Sequence, residues 1–240
     1  MLPERWEAAS LREMLSASAG RVSDRKLDLF NGWCCHALWP YLTDPRSRAA
    51  ARYAERHVDE GCPDGPEREA ILLAAKAAVE ESIKKAHHAP TAAECRRRFV
   101  YAWAAQIAQQ SVGHDQPNRG VWANALLAAQ AFGYANDERA ACLPGSEELR
   151  DEQLNLQATI FRDIVGNPFD PVVLDPRWKT DDTLGLARGI YEDRAFGRLP
   201  ILADALMDAG CDDDRLLAHC RGRRPHTRGC WAVDLILGKQ

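Results

Sequence analysis

The sequence predicts an all-α fold, an irregular multi-helix bundle or short helical array without substantial sheet. Three observations carry this expectation. Apolar residues recur at three- and four-residue spacing in segment after segment. Cap-forming residues (Ser23, Asp44, Thr91 and Ser146) stand just ahead of such segments. No two alternating runs are joined by hairpin turn chemistry.

The elements follow in order. Residues 5–17 set Trp6, Ala9, Leu11, Met14 and Leu15 near helical spacing. Ser23-Asp24 caps a run carrying Leu27, Phe30, Cys34, Leu38 and Leu42. Asp44-Pro45 opens a third helix, because the N–H that proline lacks has no partner in a first turn anyway, and Gly61 ends it. Pro63-Asp-Gly-Pro66 is a break, and the alanine-rich stretch 67–87 follows. Thr91 with Glu94 reads as a capping box for a helix through Phe99, Trp103 and Ile107. Residues 113–120 form a loop and 121–139 a further alanine-rich helix. Ser146 caps a helix carrying Leu149, Leu154, Leu156, Ile160, Phe161 and Ile164.

From Gly166 the texture changes. Asn167-Pro-Phe-Asp-Pro171 and Leu174-Asp-Pro-Arg-Trp178 are extended or turn segments, since a residue before proline is pushed out of the helical region. Helices return over 180–194 and 200–209, with Gly210 closing the latter. Asp212–Asp214 cap a short helix through His219, and Trp231–Leu237 form the last one. The predicted division is an N-terminal region 1–143 and a C-terminal region 144–240. A compact module starts at about 166, and all are packed as one body.

Composition narrows the function classes. The chain has 240 residues, 31 Lys plus Arg against 35 Asp plus Glu, a net charge of −4 and 46% hydrophobic residues. Such a chain buries a sizeable core and is neither disordered nor fibrous. It is not basic overall, so nucleic acid is not the favoured partner. No apolar run approaches the roughly 20 residues that cross a bilayer. The opening Met1–Glu7 lacks the pattern of an export signal. A cytoplasmic protein with no membrane partner is expected, its eight cysteines kept as thiols.

The densest polar constellation is C-terminal: Cys211, His219, Cys220, His226 and Cys230. These five N and S donors could supply the four that tetrahedral zinc takes. The spacing C-x7-H-C-x5-H-x3-C has no C-x2-C knuckle, so packing of the cysteines against Trp231 and Leu216 is the competing reading. Arg221, Arg223, Arg224 and Arg228 add a local basic patch for phosphate or a partner. A second basic group, Arg96-Arg97-Arg98, reads as a solvated helix face. Cys220 or Cys34 beside a histidine would be the cysteine-nucleophile arrangement. Asp204 and Asp208 lie one turn apart but read as the exposed side of an amphipathic helix. No phosphate loop, G-x-S-x-G or H-E-x-x-H occurs, and no catalytic residue or resident cofactor other than zinc is assigned.

Two groups of motifs stand out, Ser23–Phe30, Cys34-Cys35, Trp39 and Leu42–Arg48 near the start, then Gly166–Phe169, Leu174–Trp178 and Arg198–Leu206. The second group continues through Ala209–Cys211, His219–Gly222, His226 and Arg228–Trp231 to Gly238-Lys239. On these motifs both ends of the chain resemble an uncharacterised family of bacterial all-helical proteins. The chain departs from the family pattern at His36 and in the more basic Arg223-Arg224. The resemblance implies one whole-length helical protein and carries no activity with it. Three functions are therefore in view. The first is a non-enzymatic interaction, scaffold or adaptor protein whose partner is another protein. The second is a small zinc-binding protein with phosphate or nucleic-acid contact through the Arg-rich loop. The third is a cysteine-dependent enzyme.

Overall fold

The computed structural model of the chain describes residues 2–59, 65–112, 128 and 145–239. Among these residues the fold is all-α, with no strand. Ten α-helices are described: α1 (Leu11–Ala17), α2 (Asp24–Ala37), α3 (Pro45–His57), α4 (Pro66–His87), α5 (Ala92–Gln110), α6 (Gly145–Val165), α7 (Asp181–Asp193), α8 (Leu199–Asp208), α9 (Asp214–Arg221) and α10 (Trp231–Leu237). No helix among them is long and apolar enough to cross a membrane. The helix expected over 121–139 and the boundary expected at 143/144 lie outside the described residues, save for helical Ala128.

Local chemistry sets the helix starts. Ser10 makes a reciprocal capping box with Glu13, so α1 begins at Leu11 rather than at residue 5. Trp6 is left outside the helix and fully buried, its ring 6.2 Å from Phe161 and 5.9 Å from Phe169. The run expected to reach Leu42 stops at Ala37, and Trp39–Tyr41 form a single 3-10 turn around Pro40. Asp44, Thr91, Thr180 and Asp213 each accept a first-turn backbone N–H as N-caps.

The chain divides into two compact units, Leu27–Gln157 and the combination of Met1–Lys26 with Ala158–Gln240. In the first, α4 packs along α5 and α3. Small side chains make that close approach feasible: Ala75, Ala78 and Ala86 of α4 and Ala102, Ala104 and Ala108 of α5 are buried. Arg46 ties Asp44 to Glu81 at 2.8 Å to each carboxylate.

The second unit contains the expected C-terminal module together with the first 26 residues. Its core comprises Trp178, Ile190, Leu199, Leu202, Leu206, Leu216, Val233 and Ile236, with Cys211, Cys220 and Cys230 among them. The segment 167–176 is an ordered connection: Phe169 reaches Trp6, and Val172 and Leu174 pack on the core. Trp178 is buried and its indole N–H donates to the Gly210 carbonyl at 3.2 Å.

One buried carboxylate joins the two sequence ends of this unit. Asp234 in α10 is 1% exposed. It accepts from Arg25 at 2.7 Å and from the Lys26 ammonium, both in the first turn of α2. Lys26 also donates to the Gly229 carbonyl at 2.7 Å. Burial pulls the Lys26 pKa below the ordinary lysine range, and the Asp234 charge works against that fall. Removing the carboxylate would strand two cations in a dry setting. Asp234→Ala is therefore expected to cost about 3–5 kcal/mol in denaturant unfolding. A loss under about 1 kcal/mol would contradict this role.

Candidate metal centre

The site is assembled from three elements of the second unit: α6, α9 and the 222–230 loop. Asp163 lies in the last turn of α6, between Ile160 and Ile164 on its buried side. His219 stands near the end of α9. His226 and Cys230 come from the loop, and Cys230 is the residue just before α10. One donor atom from each of these four residues lies within 4.8 Å of every other.

The distances describe the convergence. Asp163 Oδ1 is 2.6 Å from His226 Nδ1 and 3.3 Å from His219 Nε2. Cys230 Sγ is 3.1 Å from His219 Nε2 and 4.0 Å from His226 Nδ1. Zinc–ligand lengths of about 2.0–2.3 Å place donors around a tetrahedral ion roughly 3.3–3.8 Å apart. The four atoms scatter about that edge length. Their residue types, two imidazoles, a carboxylate and a thiol, are those that zinc takes.

Asp163 organises the group. Burial opposes its ionisation, but hydrogen bonds from His219 and His226 outweigh that and hold its carboxyl below the ordinary range. Its second oxygen accepts the Thr227 backbone N–H at 2.8 Å, which fixes the loop. Cys230 is fully buried, and burial followed by the Asp163 charge pushes its thiol well above the usual range.

The two imidazoles differ in their outer nitrogens. His219 Nδ1 accepts the Trp231 indole N–H at 3.0 Å. A neutral His219 ring therefore carries its proton on Nε2, between Asp163 and Cys230. His226 donates from Nδ1 to Asp163, and its Nε2 is buried with no hydrogen-bond partner. A buried polar atom left in that state costs about 1–3 kcal/mol.

The structure separates the five sequence-selected ligands. His219, His226 and Cys230 converge, while Cys211 and Cys220 lie in the apolar core. Adjacent residues on a helix point in different directions, so His219 and Cys220 cannot both face the site. Cys211 follows the left-handed Gly210 and turns inward, packed with Leu206 and Leu216 in the same core. Burial raises the Cys220 thiol to about 12, Cys35 to about 12 and Cys34 further still, which opposes a thiolate nucleophile at these positions. Cys62 and Cys142 lie outside the described residues, as do the side chains of Arg96, Arg97 and Ser146.

The sequence-selected arginines also divide. Arg221 pairs with Asp204 at 2.8 Å across α9 and α8, and Arg228 sits over the Tyr191 ring. Arg223 and Arg224 instead line a cavity of about 940 Å³ that reaches Asp163, His219 and His226. No family model matches the chain, and no curated protein or solved structure matches it either.

Gly166 is a supporting residue that spacing alone did not mark. It adopts φ +70°, and a Cβ there would lie 3.0 Å from the Trp231 ring. Its lack of a side chain lets the indole settle where its N–H reaches His219. Gly166→Ala combines a left-handed backbone with a ring contact, so about 2–3 kcal/mol of destabilisation is expected in thermal or urea unfolding. Unchanged stability would contradict the close approach.

Proposed function

We propose that the chain is a zinc-binding protein. In this reading Asp163, His219, His226 and Cys230 hold one ion that ties α6 to α9 and to the 222–230 loop. The observation that carries it is the convergence of four donor atoms of zinc-binding types, drawn from three elements, within 4.8 Å. Four protein donors make a closed coordination shell, the arrangement of structural zinc. The reading is placed ahead of a scaffold role because it rests on a defined constellation. It is placed ahead of a cysteine nucleophile because the site's own thiol is buried and protonated.

Binding has a definite proton inventory. Cys230 must lose its thiol proton to the solvent. His219 must free Nε2, which moves its one N–H to Nδ1. That N–H then meets the Trp231 indole N–H, donor against donor. Zinc binding therefore breaks the Trp231–His219 hydrogen bond. Trp231→Phe is expected to tighten zinc by about 3- to 10-fold, from a net hydrogen-bond worth of about 0.5–1.5 kcal/mol. Weaker binding in competition with a chromophoric chelator would contradict that inventory.

Elemental mass spectrometry of protein purified without chelator, and again after stripping and reloading, tests the reading. One equivalent of zinc is expected. Chelation should lower the melting temperature by about 10 °C or more, since binding energy adds to folding energy. Asp163→Ala and Cys230→Ser should each abolish stoichiometric binding. Less than one-tenth equivalent after reloading, with melting unchanged by chelator, would overturn the proposal.

A further inference from the structure

We infer that the cavity beside the zinc cluster binds a small phosphorylated molecule. This deepens the zinc reading and rests partly on it. The cavity of about 940 Å³ falls within the volume range of small-molecule pockets, about 300–1,000 Å³, and holds a ligand up to the size of a mononucleotide. Its wall carries Arg21, Lys26, Arg162, Arg215, Arg223, Arg224 and Lys239 against Glu7, Asp163, Asp170 and Asp234.

The pairing of these charges is the informative part. Lys26 is engaged with Asp234, Arg215 with Asp170 and Asp213, and Arg224 with Glu7. Three guanidinium groups form no close ion pair among the described residues, although the Glu7 charge acts on Arg162. Arg21 lies over the Phe169 ring at 5.1 Å. Arg223 is exposed and makes no hydrogen bond or ion pair among the described residues. Arg162 is half-buried and spends Nε and one terminal nitrogen on the Trp6 and Ala9 carbonyls, leaving its other terminal nitrogen unused. Arg21 and Arg223 are exposed on this wall and half-buried Arg162 keeps one terminal nitrogen uncommitted, so an anion in the cavity meets guanidinium donors that no close carboxylate occupies.

The metal cluster borders the same cavity through Asp163, His219 and His226. Exchanging the Cys230 thiol proton for Zn²⁺ raises the charge of the cluster by one, which favours an anion beside it. The two sites are therefore coupled, and by linkage each strengthens the other. Phosphate rather than carboxylate is the favoured anion. It presents several oxygens at once, suited to a wall that carries several guanidinium groups.

The test is calorimetric titration of the full-length zinc-loaded protein with inorganic phosphate, AMP and adenosine. Saturable binding of phosphate or AMP at one site is expected. Arg223→Gln, an exposed change that leaves the fold alone, and Arg162→Gln should each weaken it about tenfold with zinc content unchanged. Metal-stripped protein should bind at least about threefold more weakly. AMP much tighter than phosphate would identify a nucleotide-type source, and equal affinities a free or simply substituted phosphate; both support the inference. No saturable binding, binding indifferent to both arginine variants, or adenosine binding as tightly as AMP would overturn it. Should the chain hold no zinc, the arginine variants still decide the anion site, so failure of the zinc reading is seen separately in the metal content.

Discussion

The buried carboxylate of Asp163 is the constraint on which the C-terminal unit depends. It is withdrawn from water yet ionised, so its charge must be met by hydrogen bonds from the surrounding chain. Those bonds come from His219 in α9 and from His226 and the Thr227 amide in the loop. The loop has no regular structure of its own. It is placed because buried charges hold it at two points: Asp163 on His226 and the Thr227 amide, and Lys26 on the Gly229 carbonyl.

In the zinc reading, one set of side chains would serve both with and without an ion. Without metal, two imidazoles donate to one carboxylate and a neutral thiol fills the remaining corner. In the proposed zinc-bound state the three protons between the donors would leave those positions and one divalent ion would take their place. The donors already stand close together, so the ion would not have to gather distant groups. What would change is the outer hydrogen bonding: Trp231 would lose its acceptor on His219, and His226 would carry its proton on Nε2. Gly166 governs the first of these contacts, because only a residue without Cβ lets the indole approach so closely.

Much of this was legible in the residues, and the remainder has physical causes. The helices over 24–37, 45–57, 181–193, 199–208 and 231–237 follow apolar periodicity and cap chemistry closely. The first helix was misplaced because Trp6 looks periodic with Leu11 and Met14. A strong capping box at Ser10 outweighs that pattern. At the site, His219, His226 and Cys230 were visible as a cluster of soft donors. Cys211 and Cys220 joined them only through sequence proximity, and helix geometry sends both into the core. Asp163 was invisible to spacing arguments, since it lies 56 positions before His219. Its one signal was an acid on the apolar face that Ile160 and Ile164 define, where an unpaired charge has no reason to stand. The cavity could not be anticipated, because Arg21, Arg162 and Arg223 come from three distant stretches of chain.

The central claim is that one zinc ion is held by a carboxylate, two imidazoles and a thiolate. X-ray absorption at the zinc edge of the loaded full-length protein tests it most directly. The account predicts a four-coordinate ion with one sulfur at about 2.3 Å and three nitrogen or oxygen neighbours at about 2.0–2.1 Å. The sulfur shell should vanish in Cys230→Ser. Two or more sulfur neighbours would recruit Cys211 or Cys220 and contradict the assignment, and an all-oxygen shell would mean that the ion binds elsewhere.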